Sequence, residues 1–213
     1  MIFSNRQDAG NQLAKHLVSY KNNSNAFVLG LSCGGMPIAF EIAQLLHLPF
    51  HILLVRKIRS PQNPNLSLGA IAEQNIELLH ADLIGILDIP NDYVKKELEN
   101  QKTHLAKQAK SYHISERLLY QKQIILVDDG MATGSSMQVA IQALGKLQVA
   151  SIHLAVPVAS RSSLAKISNE QTTCLFSPSF FEKISDSYHV FDPVNDLEVT
   201  HLLNHSSCDL ATV

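Results

Sequence analysis

The chain has 213 residues and a formal net charge of −2, and 46% of its residues are hydrophobic and 17% charged. This composition is typical of a globular domain with a sizeable core, and it argues against nucleic acid as a partner, because a polyanion requires a basic surface. An odd number of cysteines argues against a disulfide framework, and the lack of a long apolar run or a signal-peptide core leads us to expect a cytoplasmic protein without a membrane span.

The N-terminal half predicts two pairs of helix and strand followed by a loop. In chain order we expect a helix capped by Asn5 or Ser4, a strand over 26–31, a helix that begins after Gly35 and ends at about Leu46, a strand over 51–55 and a polar loop over 57–70. The strand over 26–31 is apolar throughout, which is typical of a strand buried on both faces of a parallel sheet. Pro37 falls in the first turn of the second predicted helix, where its missing N–H costs nothing.

The C-terminal half continues the alternation. In chain order we expect a helix from Tyr93 to about Ser111, a strand over 124–127, a helix from Ser135, a strand over 152–158, a helix from Ser162, a strand over 172–176 and a helix over 193–204. Strands that alternate with helices predict an α/β fold, here an open, mainly parallel sheet of about five strands with helices on both faces. Ligands of such sheets bind at the carboxyl ends of the strands.

The most informative segment joins the strand over 124–127 to the helix that begins near Ser135. Two adjacent carboxylates, Asp128 and Asp129, follow the strand directly. A loop of small residues comes next, and its glycines let the backbone turn tightly and approach a ligand. The last amides of this loop lie at a helix N-terminus, which binds anions. One end of the loop therefore suits a phosphate, and the other end suits the hydroxyl groups of a phosphorylated sugar.

This segment resembles the phosphoribosyl diphosphate (PRPP) motif of the type I phosphoribosyltransferases. The resemblance implies that Asp128 and Asp129 hold the ribose hydroxyls, serve as the catalytic carboxylates and contact Mg²⁺ indirectly. It also implies a cradle for the 5′-phosphate that consists of Gly130, Met131, Ala132, Thr133, Gly134, Ser135 and Ser136. Two competing motifs fail on spacing, because a P-loop requires Lys where Gly134 stands and a haloacid-dehalogenase motif requires Asp where Gly130 stands.

The resemblance extends from about Phe3 to His205 and implies one domain over 1–213, with a small hood formed near 60–118 and 177–213. It implies a Mg²⁺-dependent transfer of ribose 5-phosphate from PRPP to a nitrogen nucleophile, with release of pyrophosphate. The acceptor would be a nucleobase or a related heterocycle. Dimers are common in the family, so the resemblance leaves open whether this chain forms a homodimer. A phosphohydrolase would require a nucleophile or a cluster of metal ligands that the sequence does not offer.

A second junction, Ser32-Cys33-Gly34-Gly35, resembles the pyrophosphate loop of the same family, which implies that Cys33, Gly34 and Gly35 contact pyrophosphate. Similar family members carry Pro-Arg where this chain has Ser32 and Cys33, so a charge-assisted hydrogen bond to pyrophosphate is lost. That loss favours an alternative function, a PRPP- or nucleotide-binding regulatory protein with weak or no catalysis. Cys33 as a nucleophile has no base near it in sequence, and a buried small Cys is the more common role.

Three cations, Arg56, Lys57 and Arg59, begin the segment that is predicted as a polar loop. This loop is either a solvated surface segment or a mobile lid that brings Arg56 and Lys57 over the pyrophosphate. Aromatic residues after the last strand either stack on the acceptor base or close the core, and they are Phe180, Phe181, Tyr188 and Phe191.

Overall fold

Strands and helices alternate along the computed structural model, which describes residues 3–64, 66–73, 76–112, 116–167 and 171–205. The strands are β1 (Ala26–Leu31), β2 (Phe50–Leu53), β3 (Val55–Arg59), β4 (Ser67–Ala72), β5 (Ile76–Leu79), β6 (Gln123–Val127), β7 (Ser151–Val158) and β8 (Gln171–Phe176). The α-helices are α1 (Arg6–His16), α2 (Ser32–Leu46), α3 (Ala81–Ile86), α4 (Asn91–Tyr112), α5 (Ser135–Lys146), α6 (Arg161–Lys166) and α7 (Asp196–Asn204).

The main sheet has five parallel strands in the order β2-β1-β6-β7-β8, which confirms the predicted fold class. Gly30 of β1 pairs with Val127 of β6, so the residues that follow these two strands lie side by side at one edge of the sheet. Helices α1 and α2 pack against one face and α5 against the other, each over a separate hydrophobic cluster. Among the described residues, no helix is both long and apolar enough to cross a membrane.

A second, antiparallel sheet in the order β3-β4-β5 corrects the prediction for the segment after β2. The predicted strand over 51–55 is divided at Leu54 between two sheets, and the predicted loop over 57–70 contains most of β3 and the start of β4. Arg56 pairs with Ile71 and Lys57 with Ala70, so both cations lie on a strand and not in a loop. The sequence did not predict this strand because Val55 and Ile58 are buried in different clusters on its two faces, so apolar and charged residues do not alternate along it.

The small sheet is covered by α4 on one face and by α5 on the other, which explains why every residue of β4 is buried. Ile71 packs in the cluster that contains Val94 and Leu98 of α4, whereas Ala70 and Ala72 pack in the cluster that contains α5. Successive side chains of a strand point to opposite faces, so β4 contributes side chains to both hydrophobic clusters.

Helix α2 begins earlier than predicted, at Ser32 instead of after Gly35, and it places both glycines in its first turn. Ser32 adopts a left-handed φ of 53°, and its hydroxyl donates to the carbonyl of Val55 at 2.6 Å. Pro37 consequently lies one turn further into the helix than predicted, where its ring removes the amide that would bond to the carbonyl of Cys33.

Gly35 is the point at which α2 meets β6, and we expect Gly35→Ala to destabilise the fold. A Cβ at this position would lie 2.5 Å from the carbonyl oxygen of Val127 and 3.3 Å from Cα of Asp128, both backbone atoms. Overpacking of this kind costs about 2 kcal/mol. Gly145→Ala is the matched control, because no described atom lies within 4 Å of its added Cβ and alanine favours a helix by about 0.5–1 kcal/mol. Denaturant midpoints measure both effects, and equal midpoints for the two variants would contradict the close approach at Gly35.

Candidate active site

A cavity of about 300 Å³ lies at the carboxyl ends of β1 and β6, with β3 opposite. Six residues of the predicted site line it, and they are Gly34, Arg56, Lys57, Asp128, Asp129 and Ser136. The other predicted residues, Cys33, Gly35 and Gly130 to Ser135, are described but lie outside its lining. The structure thus brings together residues from two distant junctions and from a strand that the sequence analysis treated as a loop.

Asp129 is held by Arg6, a residue that the sequence analysis did not single out. Nε and Nη2 of Arg6 both donate to Oδ2 of Asp129, at 3.0 and 2.8 Å. The two side chains are only 9% and 12% exposed, so the ion pair is buried. A lone arginine in a predicted helix gives no signal of this role, because its partner lies 123 residues away in the chain.

The C-terminal segment closes over the same arginine. The remaining guanidinium nitrogen, Nη1, donates to the carbonyl of Asp192 at 2.7 Å, and the centre of the Phe191 ring lies 3.8 Å from the guanidinium carbon. The hydroxyl of Tyr188 donates to the carbonyl of Asp129 at 2.6 Å. Tyr188 and Phe191 therefore pack around the Arg6–Asp129 pair, whereas Phe180 is 78% exposed.

The two neighbouring carboxylates differ in their partners. Burial, and next the negative charge of Asp129, raise the pKa of Asp128 well above its ordinary value. Burial also raises the pKa of Asp129, but the charge and hydrogen bonds of Arg6 oppose that rise. Lys57 favours the charged form of both. Because Arg6 donates to Asp129 and not to Asp128, Asp128 is the member of the pair that is more readily protonated.

Two serines at the start of α6, which were not predicted as site residues, hold the loop after the carboxylates by hydrogen bonds. The hydroxyl of Ser160 donates to the carbonyl of Ala132 at 2.7 Å, and the hydroxyl of Ser163 donates to the carbonyl of Met131 at 2.9 Å. These bonds hold the loop carbonyls against α6. Gly134 caps α5 at a φ of 80° and has no side chain that could bond to the first amides of the helix.

Two hydroxyl groups at the start of α5 are connected by hydrogen bonds to His80, which lies between β5 and α3. The hydroxyl oxygens of Thr133 and Ser135 lie 2.9 Å apart, and Ser135 Oγ lies 2.6 Å from Nε2 of His80. Lys166 of α6 donates to the carbonyl of Thr133 at 3.2 Å. Burial, with a further effect of the Lys166 charge, lowers the pKa of His80, so the imidazole is neutral near pH 7.

The predicted pyrophosphate loop, Ser32 to Gly35, lies directly beside the Asp129 carboxylate. A Cβ on Gly34 would lie 2.6 Å from Oδ2 of Asp129, the same oxygen that accepts from Arg6. Cys33 points elsewhere, with its sulfur 4.0 Å from Oδ1 of Asp196. Burial, followed by the charge of Asp196, raises the pKa of the Cys33 thiol, which argues against a role as nucleophile.

The cations of β3 face the carboxylates across the cavity. The guanidinium of Arg56 donates to the side-chain oxygens of Gln101 and Gln108 on α4, which fix its position at the cavity wall. Lys57 and Arg59 line the same cavity. Within the described ranges, no three His, Cys, Asp or Glu side chains form a group that could hold a metal ion by themselves.

We expect Asp128→Asn to stabilise the ligand-free protein at neutral pH. The folded state raises the pKa of Asp128 above the ordinary value of 3.8, so the stability that its protonated form contributes is complete below about pH 4 and is lost as the pH rises through the folded value. An amide carries no charge and avoids this loss. Thermal midpoints should therefore be higher for the variant at pH 8, and the difference should vanish near pH 4.

Asp129→Asn is the matched control, and we expect the opposite sign. This change leaves Arg6 buried without its anion, and the loss of one partner of a buried ion pair costs on the order of 3 kcal/mol. Midpoints that rise equally in both variants would contradict the difference between the two carboxylates.

The chain is similar in sequence to known proteins over most of its length. The model of the phosphoribosyl transferase domain family matches residues 2–191 of the chain. Two proteins from Mycobacterium tuberculosis strains, CDC 1551 / Oshkosh and ATCC 25618 / H37Rv, each named "Putative phosphoribosyl transferase", are 31% identical over 99% of this chain and 48% of their own length. The chain therefore spans about half the length of these curated relatives.

A solved structure of similar sequence covers nearly the whole chain. The crystal structure of the protein TT1426 from Thermus thermophilus superposes with a TM-score of 0.73 at 30% identity, over 95% of this chain and 98% of that one. The family match covers most of the described residues, including both strand–helix junctions that form the cavity. The chain thus belongs to the phosphoribosyl transferase domain family.

Proposed function

We propose that this protein is a Mg²⁺-dependent phosphoribosyltransferase that moves ribose 5-phosphate from PRPP to a nitrogen of a nucleobase or related heterocycle and releases pyrophosphate. The observation that carries the proposal is a single cavity that joins two carboxylates, a helix N-terminus and three cations. These groups match, in order, the hydroxyls of a ribose, its 5′-phosphate and a pyrophosphate.

The carboxylates are suited to the ribose hydroxyls. Oδ2 of Asp129 accepts both hydrogen bonds from Arg6, which leaves Oδ1 to accept from a hydroxyl. Asp128 accepts from the amide of Asp129 through Oδ1 at 2.9 Å, which fixes the orientation of its carboxyl group toward the cavity. A sugar bound by two pre-positioned carboxylates loses little further freedom, and such positioning is a large part of catalysis.

The start of α5 is suited to the phosphate. No side chain caps this helix, and the carbonyls of the preceding loop accept hydrogen bonds from Ser160, Ser163 and Lys166, so the positive end of the helix dipole and not the loop carbonyls is presented to an anion. A helix terminus contributes up to about 2 kcal/mol to the binding of an anion, and charge-assisted hydrogen bonds contribute roughly 1.5–3 kcal/mol each.

The cations of β3 are suited to the pyrophosphate. Arg56, Lys57 and Arg59 supply the positive charge that the α2 junction lacks, because Cys33 stands in the place of an arginine and lies outside the cavity. Charge on the leaving group develops as it departs, and cations that are already in place stabilise that charge without reorganisation.

Mg²⁺ fits the donor set. The pair Asp128 and Asp129 offers carboxylate oxygens at the cavity wall. Mg²⁺ is typically held by one or two carboxylates, substrate oxygens and waters, so two protein carboxylates suffice. When bound, the ion would neutralise pyrophosphate oxygens.

The chemistry is a displacement at C1 of the ribose. The bond from C1 to the pyrophosphate oxygen breaks and its electron pair stays on that oxygen, the acceptor nitrogen forms the new bond to C1, and the proton of that nitrogen passes to the released pyrophosphate or to water. The transition state has oxocarbenium character. The side chains of the cavity would hold the sugar and the leaving group so that the acceptor nitrogen, C1 and the leaving oxygen lie in line, and the C-terminal segment around Tyr188 and Phe191 holds the Arg6–Asp129 pair in place.

A regulatory protein that binds PRPP or a nucleotide with little or no catalysis is the second candidate. The displacement of Cys33 from the cavity favours it, because the α2 junction then contributes no charged side chain to the leaving group. Consumption of PRPP in the presence of candidate bases distinguishes the two functions.

Calorimetric titration with PRPP and with ribose 5-phosphate tests the proposed site, and we expect PRPP to bind more tightly and only PRPP to require Mg²⁺. In Lys57→Met the affinity for PRPP should fall about tenfold, since one charge-assisted contact to pyrophosphate is lost, while the affinity for ribose 5-phosphate should stay within about twofold. Lys95→Met, at an exposed position of α4, is the control. Equal affinities of the wild type for both ligands, independent of Mg²⁺, would contradict pyrophosphate binding.

We expect the double change Asp128→Asn and Asp129→Asn to abolish turnover of PRPP. Neutral amides neither accept hydrogen bonds from the ribose hydroxyls as strongly as carboxylates do nor attract Mg²⁺, and circular dichroism of the double variant checks that it is folded without the Arg6–Asp129 ion pair. Release of pyrophosphate in the presence of a panel of bases measures the activity. Asp82→Asn, at an exposed position of α3, should leave it unchanged. Unchanged turnover in the double variant would remove the catalytic role of the pair.

A further inference from the structure

Three polar side chains form a chain of hydrogen bonds from the start of α5 to the small sheet. Thr133 is exposed at the start of the helix, Ser135 is buried, and His80 is half-buried at the end of β5. Thr133 Oγ1 lies 2.9 Å from Ser135 Oγ, which lies 2.6 Å from Nε2 of His80. The backbone amide of His80 donates to the carbonyl of Leu68 in β4 at 2.9 Å, so the imidazole is anchored independently of the loop.

The direction of these hydrogen bonds depends on whether a phosphate is bound at the loop. Each hydroxyl has a single proton, and a phosphate dianion only accepts hydrogen bonds. If Thr133 donates its proton to a phosphate oxygen, it must accept from Ser135. Ser135 then has no proton left for the imidazole and must accept from Nε2 of His80. A bound phosphate therefore requires a proton on Nε2.

We propose that His80 is a positioning residue of the phosphate site, whose Nε2–H sets the hydroxyls of Ser135 and Thr133 to donate toward the 5′-phosphate. This inference rests on the proposed function, because it takes the start of α5 as the phosphate site. It adds to that site His80, a residue directly after β5 that the sequence did not predict as part of the phosphate site.

The surroundings of the imidazole are consistent with this role. His80 is neutral when the site is empty, because burial and the charge of Lys166 disfavour the imidazolium, so either ring nitrogen can carry the single proton. Lys166 is held nearby by the carbonyl of Thr133 at 3.2 Å, at the same end of the loop. A phosphate at this position adds negative charge close to both groups, which favours a proton on the nitrogen that faces the hydroxyls.

The test is nuclear magnetic resonance of protein labelled with ¹⁵N-histidine, with and without saturating ribose 5-phosphate. His80→Gln assigns the His80 signals by their disappearance. We expect the Nε2 shift of a protonated nitrogen in the complex. An unprotonated Nε2 with ribose 5-phosphate bound would overturn the inference and leave the proposed function intact. If the wild type does not bind ribose 5-phosphate at all, both fail.

Binding affinities of variants separate positioning from a general structural effect. His80→Phe fills the same space without a donor and should weaken ribose 5-phosphate binding roughly tenfold, whereas His80→Gln keeps an N–H donor and should stay within about threefold. In a Thr133→Val background, where the hydrogen-bond chain is already cut, His80→Phe should have less than about a twofold further effect.

His16→Gln, at an exposed position of α1, is the control and should leave the affinity unchanged. The same loss for His80→Phe in both backgrounds would overturn the inference, because His80 would then act on the site by a route other than Thr133.

Discussion

The buried ion pair of Arg6 and Asp129 is the interaction on which the rest of the site depends. It connects the first turn of the first helix to the end of the central strand, and the C-terminal segment closes over it through the carbonyl of Asp192 and the ring of Phe191. A buried pair is costly to desolvate, so its value lies more in fixing one carboxylate than in stability alone. The loss of either partner would affect the fold and the site together.

Close approach of backbone segments is the second constraint. Gly34 and Gly35 lie in the first turn of α2, where a side chain would meet the Asp129 carboxylate or the backbone of β6. The glycines thus serve the contact between the two strand–helix junctions as much as any ligand. The left-handed Ser32 directly before them is tied to β3 by its hydroxyl, so the junction also positions the strand that carries Arg56 and Lys57.

Much of the fold follows from the sequence because local patterns dictate it. Continuous apolar runs identify the strands of the parallel sheet, and the capping side chain of Asn5 bonds to the amide of Asp8, as predicted for the first helix. The small sheet was missed because β3 carries three cations and neither β3 nor the fully buried β4 shows an alternation of apolar and polar residues that would predict their antiparallel pairing. Propensity alone does not report such pairing.

The sequence alone predicts the adjacent carboxylates, the small-residue loop and the start of the helix after it, because these lie within nine consecutive residues and their chemistry is local. The distant groups that complete the site are known only from the fold, and they are Arg6 on Asp129, Ser160 and Ser163 behind the loop, and His80 beside Ser135. It also decided that Cys33 faces Asp196 and away from the cavity. Partners separated by tens of residues are chosen by the packing of sheets and helices, and no spacing in the chain records that choice.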